Sequence, residues 1–155
     1  MSINSDKVGL ALKDLGTGMR GVYGLTQKST VQTVMALRMF GGSTQWRHLA
    51  SDNSRELIAA AQSELMLHLR STPYRPESNG LIEREVGLLG QGIRTLLSQA
   101  GLSHGWWVYA GQHWTHSQNV ARALDPNPWQ LWHGAEYTGQ QFPFGCQISF
   151  RLPVP

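Results

Sequence analysis

The chain has 155 residues, enough for one domain with a sizeable core. Its 13 Lys and Arg against 10 Asp and Glu give a net charge of +3 and a pI near 9.4, which permits a polyanionic partner without demanding one. A single cysteine, Cys146, excludes an internal disulfide framework and a cysteine-based zinc finger, and no apolar run reaches the ~18 residues of a membrane span or follows the pattern of a signal peptide, so a soluble, intracellular protein is expected.

In chain order, Val8, Leu10 and Leu12 alternate with small or polar residues and predict a strand that ends near Asp14. LGTG is a turn cluster and MRGVYGL resumes extended structure, so the stretch reads as a hairpin. Ser29 or Thr30 caps a helix over VQTVMALRMF, with apolar positions Val31, Val34, Met35 and Met39, and GGS ends it. WRHLAS is a short apolar strand that delivers Asp52 at its C-terminal end, and Asn53 or Ser54 opens a helix through RELIAAAQSELML. HLRST is a further short strand. From Gly80, the residues Ile82, Val86, Leu89, Ile93, Leu96 and Leu97 recur at steps of three and four, the clearest amphipathic helix in the chain, with Gly101 as its stop. A last helix, about GWWVYAGQHWTHSQNVARAL, carries Trp106, Trp107 and Trp114, read as core or interface anchors, and presents His113 and His116 on one face as packed or solvated residues. Five of the seven prolines fall from Pro126 onward, so the C-terminal part reads as extended or irregular. The order predicts an α/β fold: a mixed central sheet flanked by helices over residues 1–122, then an irregular tail over 123–155.

Three acids share a kind of position. Asp14 and Asp52 each sit at a predicted strand end, where open α/β sheets place ligand sites, and Glu83 stands in the first turn of the strongest helix. Singly, each has a plain structural reading: Asp14 as a turn residue, Asp52 as a helix cap, Glu83 as a complement to the helix dipole. Together they would repel one another unless a cation compensates. Mg²⁺ or Mn²⁺ suits such a site, because hard divalent ions take carboxylate and phosphate oxygens, and a pair of them serves phosphodiester chemistry.

The motifs around these acids resemble the catalytic core of a retroviral-type integrase, in the version carried by copia-type LTR retrotransposons. LASDNSREL resembles the family's second-aspartate motif, and STPYRPESNGLIEREV its most distinctive signature, in which the Glu of the Glu-Arg pair is the third acid. KDLGTG resembles the first-aspartate segment, LLSQAGLSHGWWVYAGQHWTHSQN the following helix pair, and NPWQLWHGAEYTGQQFPFGC the tail after the core. The likeness runs from about residue 8 to the end. Two positions depart from the pattern: Ser54 stands where a glycine is usual, and Lys13 where an apolar strand residue is usual. The stretch begins almost at the first strand, with no His/Cys zinc-binding domain before it and no clear DNA-binding domain after it, as expected of a polyprotein fragment or a truncated copy.

The resemblance implies an RNase H-like fold, an Asp14–Asp52–Glu83 triad holding Mg²⁺ or Mn²⁺, and polynucleotidyl transfer: 3′-end processing of DNA, then strand transfer into a target. It implies Tyr74, Arg75 and Asn79, in a flexible approach loop PYRPESNG, as DNA contacts. Arg84 and Arg94 lie on the Glu83 helix, where the bare stripe 83–87–90–94 suits a DNA backbone or a partner helix, although Arg94 reads equally as a solvated residue on an exposed face. It also implies DNA partners, a homo-oligomer, no small-molecule cofactor and a nuclear site of action. Charged residues make up only 15% of the chain, below the ~25% usual in soluble domains, which leaves surface for a subunit or DNA to cover. Two alternatives stand beside this reading: an RNase H-like nuclease that only hydrolyses, and an inactive nucleic-acid-binding or assembly remnant of a retroelement.

Overall fold

The computed structural model describes residues 1–70, 76–121, 123 and 125–149. Strand β1 (Val8–Lys13) and strand β2 (Arg20–Leu25) form the expected antiparallel hairpin, with Val8 opposite Leu25 and Lys13 opposite Arg20. Helix α1 (Thr30–Gly41) opens at Ser29, whose side chain accepts from the Gln32 amide, and closes at Gly42, whose amide donates to the Arg38 carbonyl and whose positive φ of 57° turns the chain out of the helix. Strand β3 (His48–Ser51), helix α2 (Arg55–Ser63) and strand β4 (Leu67–Arg70) make a βαβ unit in which the strands are parallel. In place of one mixed central sheet, the described residues form two separate two-stranded ladders, one antiparallel and one parallel.

Helix α3 (Pro76–Ala100) is the long amphipathic helix, stopped by Gly101 at a φ of +64°. A 3-10 turn at His104–Trp106 leads into α4 (Trp107–Asn119). The tail carries a short helix that composition hid, α5 (Pro128–His133), opened by a capping box in which Asn127 and Gln130 bond each other's backbone amides, with Pro128 in its first turn.

One core joins the two ladders. Leu37 of α1, Ala60 and Ala61 of α2, and Met66 are buried together, and Leu12 of β1, Val34, Trp46 and Leu49 of β3 pack against them. A second core lies where α4 crosses β2 and α3, burying Val22, Leu25, Leu89, Leu97, Val108 and Ala110; each such large side chain contributes about 1.5–3 kcal/mol. Helix α5 is held by Trp132 against Phe40 and Trp46, with ring centres 5.4 and 5.5 Å away.

Two features differ from the sequence pattern. Helix α1 turns Thr33, Ala36, Leu37 and Gly41 inward and leaves Val31, Met35 and Met39 exposed. Both faces of that helix are apolar, and the smaller side chains fit the close approach to α2. Helix α3 begins at Pro76 rather than Gly80, so 76–80 of the expected approach loop is helical; a proline is well accommodated in a first turn, where its missing N–H costs nothing.

Candidate active site

The hairpin turn comes first. Asp14 follows β1, and its Oδ2 accepts from the Thr17 amide and the Thr17 hydroxyl, both at 2.7 Å, while its backbone amide donates to the Met19 carbonyl. These bonds close the turn, as Asx side chains commonly do. Immediately before it, Lys13 faces Arg20 directly across the ladder, an arrangement that like charges make unfavourable. Glu85 of α3 answers both: Oε1 pairs with Lys13 Nζ, and Oε2 accepts from Arg20 Nε at 2.9 Å. All three side chains are largely buried. Burial alone would push the Glu85 carboxyl up, but the hydrogen bonds from Arg20 and Lys13 and their charges outweigh it, and its pKa lies below the ordinary carboxylate value.

That ion-pair group sets the rotation of α3. Glu85, Leu89 and Gly92 share the face that packs on the body. Glu83, two positions away and so about 200° round the helix, stands on the opposite, exposed face with Gly87, Gly90 and Arg94. A side chain at Gly87 would meet nothing within 4 Å, and one at Gly90 would meet only the Arg94 guanidinium. From Gly80 to Leu88 every residue but Glu85 is exposed. With the helix starting at Pro76, Glu83 is in its second turn, not its first. Arg84 and Arg94 are exposed and have no ion-pair partner among the described residues.

The second strand end is built differently. β3 ends at Ser51, and Asp52 follows, exposed, with Oδ1 accepting from the Ser54 amide at 3.1 Å. Ser51 is buried; its hydroxyl donates to the Asp52 carbonyl at 2.9 Å and lies 2.7 Å from His68 Nε2 on β4. No hydrogen bond to Asp52 Oδ2 is found among the described residues.

The structure does not gather the three expected acids. Among the described residues, which include all three, no three His, Cys, Asp or Glu side chains come together where one metal ion could be held. Asp14 Oδ2 closes its turn, Glu83 lies on the outward face of α3, and, among the described residues, Asp14 Oδ1 and Asp52 Oδ2 each accept no hydrogen bond. A complete three-carboxylate cage therefore does not fit this arrangement, whereas one or two carboxylates with phosphate oxygens would suit Mg²⁺. Tyr74 and Arg75 lie outside the described residues, and Asn79 falls in the first turn of α3. Sequence reading missed Glu85, Ser51 and His68. The only signal for Glu85 was the pair of cations at the hairpin ends, which needs a counter-ion. No helix among the described residues is long and apolar enough to cross a membrane.

No protein-family model and no curated protein matches the chain. Solved structures do. A chain of the simian T-cell lymphotropic virus intasome superimposes with a TM-score of 0.64 at 22% identity, over 94% of this chain and 52% of that one. The BIV integrase catalytic core matches at 0.60 and 16% identity, over 81% and 85% of the two chains. The HTLV-2 integrase catalytic core, in a trimeric form with magnesium, matches at 0.57 and 17% identity, over 78% and 81%. The chain spans about half the length of the first of these. It has the RNase H-like fold of the retroviral integrase catalytic core.

Proposed function

We propose that the chain serves DNA integration as an integrase-type core that carries out polynucleotidyl transfer. The observation that supports this best is the position of the signature residues in the shared fold: Asp52 at the open end of a parallel strand pair, and Glu83 on the bare outer ridge of α3. Fold alone does not carry function; the reading rests on these two acids in that frame.

The ridge suits a polyanion. Glu83, Gly87, Gly90 and Arg94 form a strip with no bulky side chain between the ends, so a phosphate backbone can approach the helix closely while Arg94 and the neighbouring Arg84 neutralise it. Tyr74, Arg75 and Asn79 precede the strip in sequence and would extend the contact. Asp52 and Glu83, which are not gathered into one site here, would each offer one carboxylate to Mg²⁺ or Mn²⁺ beside phosphate oxygens, and the ion when bound would supply charge neutralisation at the reacting phosphate. Asp14 is left out of this proposal because its Oδ2 accepts two bonds that close the hairpin turn, and because among the described residues it does not gather with the other two acids. The solved neighbours include an intasome and a trimeric integrase core; assembly with DNA and further copies is proposed for this chain on that basis, and a nuclear site of action is proposed from the sequence resemblance alone.

The test is strand nicking and joining on a labelled duplex with Mg²⁺ or Mn²⁺, comparing the chain with Asp52→Asn and Glu83→Gln. Metal-dependent joined products that both variants abolish are expected. Nicks without joining point to a nuclease instead, and DNA binding with no metal-dependent cleavage to a binding module. Arg94→Ala is expected to weaken DNA binding and to lower the slope of log affinity on log salt by about 1.

A further inference from the structure

We infer that His68 and Ser51 are positioning residues for Asp52, and that a hydrogen-bond relay across the β3–β4 ladder presents its carboxylate. The inference rests on the reading of Asp52 as a reacting-site acid and adds two residues that the reading does not use.

The register makes the relay possible. In the parallel pair, His68 is opposite Leu49, and Ser51 lies two residues further on the same face. The imidazole therefore reaches diagonally to the strand end, and its Nε2 lies 2.7 Å from Ser51 Oγ. A serine hydroxyl has one proton to give. Here it goes to the Asp52 carbonyl, 2.9 Å away, so the proton between Ser51 and His68 belongs to His68 Nε2. The chain of donors runs from His68 to Ser51 to the Asp52 carbonyl, and it fixes the peptide plane that leaves Asp52. The Ser54 amide then holds Oδ1 from the helix side. The backbone and one oxygen of Asp52 are thus both fixed.

Two further atoms mark the turn. Among the described residues, three buried side-chain polar atoms have no hydrogen-bond partner, and two of them, His68 Nδ1 and Ser54 Oγ, belong to residues that bond Ser51 and Asp52. Such atoms are costly and uncommon in folded chains. His68 would satisfy more of its hydrogen-bonding capacity turned toward water than bonded through one nitrogen to Ser51. The bond to Ser51 holds the imidazole at the strand end, so the relay acts on the Asp52 backbone and not on its carboxylate directly.

The experiment uses the whole chain, isotopically labelled, with Ser51→Ala, His68→Leu and His68→Gln. Glutamine places an amide N–H near the position of Nε2, so it is the conservative variant. Two readouts are taken: hydrogen exchange of the Ser54 amide, which reports the bond to Asp52 Oδ1, and broadening of Asp52 resonances by Mn²⁺. Ser51→Ala and His68→Leu are expected to speed Ser54 exchange on the order of tenfold and to weaken Mn²⁺ broadening, while amides of α1 and α4 exchange as before. His68→Gln is expected to stay close to the parent chain in both. Unchanged Ser54 exchange in Ser51→Ala overturns the inference, and so does a glutamine variant that behaves like leucine. Should His68→Leu not fold, Ser51→Ala and His68→Gln decide alone. If the exchange pattern comes out as expected but Mn²⁺ never touches Asp52 in the parent chain, the relay stands and the polynucleotidyl-transfer reading falls. If Mn²⁺ broadens Asp52 equally in all variants and exchange is unchanged, that reading stands and the relay falls.

Discussion

Gly92 of α3 lies against the indole of Trp114 on α4 so closely that a Cβ at position 92 would come within 2.6 Å of Trp114 Cγ. The absence of a side chain at one position of α3 sets how near the two helices come. Trp114 is a rigid ring, so the contact cannot be relieved by bending the end of a flexible chain. Gly92→Ala is therefore expected to destabilise the fold by about 1–3 kcal/mol through overpacking, which lowers Tm by about 2–4 °C per kcal/mol at this size. Gly87→Ala, five residues away on the open ridge, meets nothing within 4 Å and is expected to stabilise by up to ~1 kcal/mol through helix propensity. Thermal unfolding of the pair checks both signs; a neutral Gly92→Ala would mean that α3 and α4 are not packed as described.

Glu85 is expected to carry an acid-sensitive part of the stability. Its folded pKa is depressed, so its contribution is present in full above the unfolded carboxylate value of ~4.3 and is lost as pH falls through the lower folded value. Glu85→Gln leaves Lys13 and Arg20 facing each other without a counter-charge. A loss of about 1–3 kcal/mol at pH 7 is expected, together with a flatter stability profile between pH 5 and pH 3. Urea unfolding at several pH values reads both. Equal acid slopes in the two proteins would show that Glu85 does not titrate differently in the fold.

What was legible in the sequence followed local rules. The β1–β2 hairpin, the Ser29 cap, the strand just before Asp52 and the Gly101 stop all stand where local patterning puts them. Trp107 and Trp114 are half-buried and press on Gly9 and Gly92, as core anchors would, although Trp106 remains 38% exposed. Helix α5 had a signal, Asn127 with Gln130 three residues on and Pro128 between, which the run of prolines obscured. What was not legible is tertiary. Helix α1 has two apolar faces, and only the close approach of α2 selects the one with Ala36 and Leu37. Convergence of Asp14, Asp52 and Glu83 depended on the rotation of α3, and Glu85, two residues from Glu83, sets that rotation through partners 65 and 72 positions distant in the chain.

Leu65 offers a stabilising change. It follows α2 in the left-handed region, with φ at 56°, and is 88% exposed. The amides around it close the helix end in a Schellman arrangement, Leu65 donating to the Gln62 carbonyl at 3.2 Å and Met66 to Ala61 at 2.8 Å. A Cβ there costs about 1–2 kcal/mol against glycine, and the exposed leucine packs too little to offset it. Leu65→Gly is expected to raise stability by about 0.5–1 kcal/mol after the greater entropy of an unfolded glycine is counted. A lower denaturation midpoint in urea would show that the Leu65 side chain contributes packing after all.

Asp14 separates a turn role from a reacting role most directly, because asparagine preserves one and removes the other. The two bonds from Thr17 need only an oxygen at the Oδ2 position, which an asparagine amide supplies. A metal ligand in phosphoryl chemistry needs the charge. Asp14→Asn is therefore expected to unfold within about 0.5 kcal/mol of the parent chain and to keep whatever metal-dependent nicking the parent shows. Asp14→Ala is expected to lose about 1–3 kcal/mol, because the Thr17 amide and hydroxyl lose a charged acceptor. Thr17→Val, which removes one of the two donors, is expected to fall between them. If folded Asp14→Asn instead loses nicking as fully as Asp52→Asn does, then Asp14 acts at the phosphate, and the hairpin turn must open when DNA binds so that Oδ2 is released from Thr17.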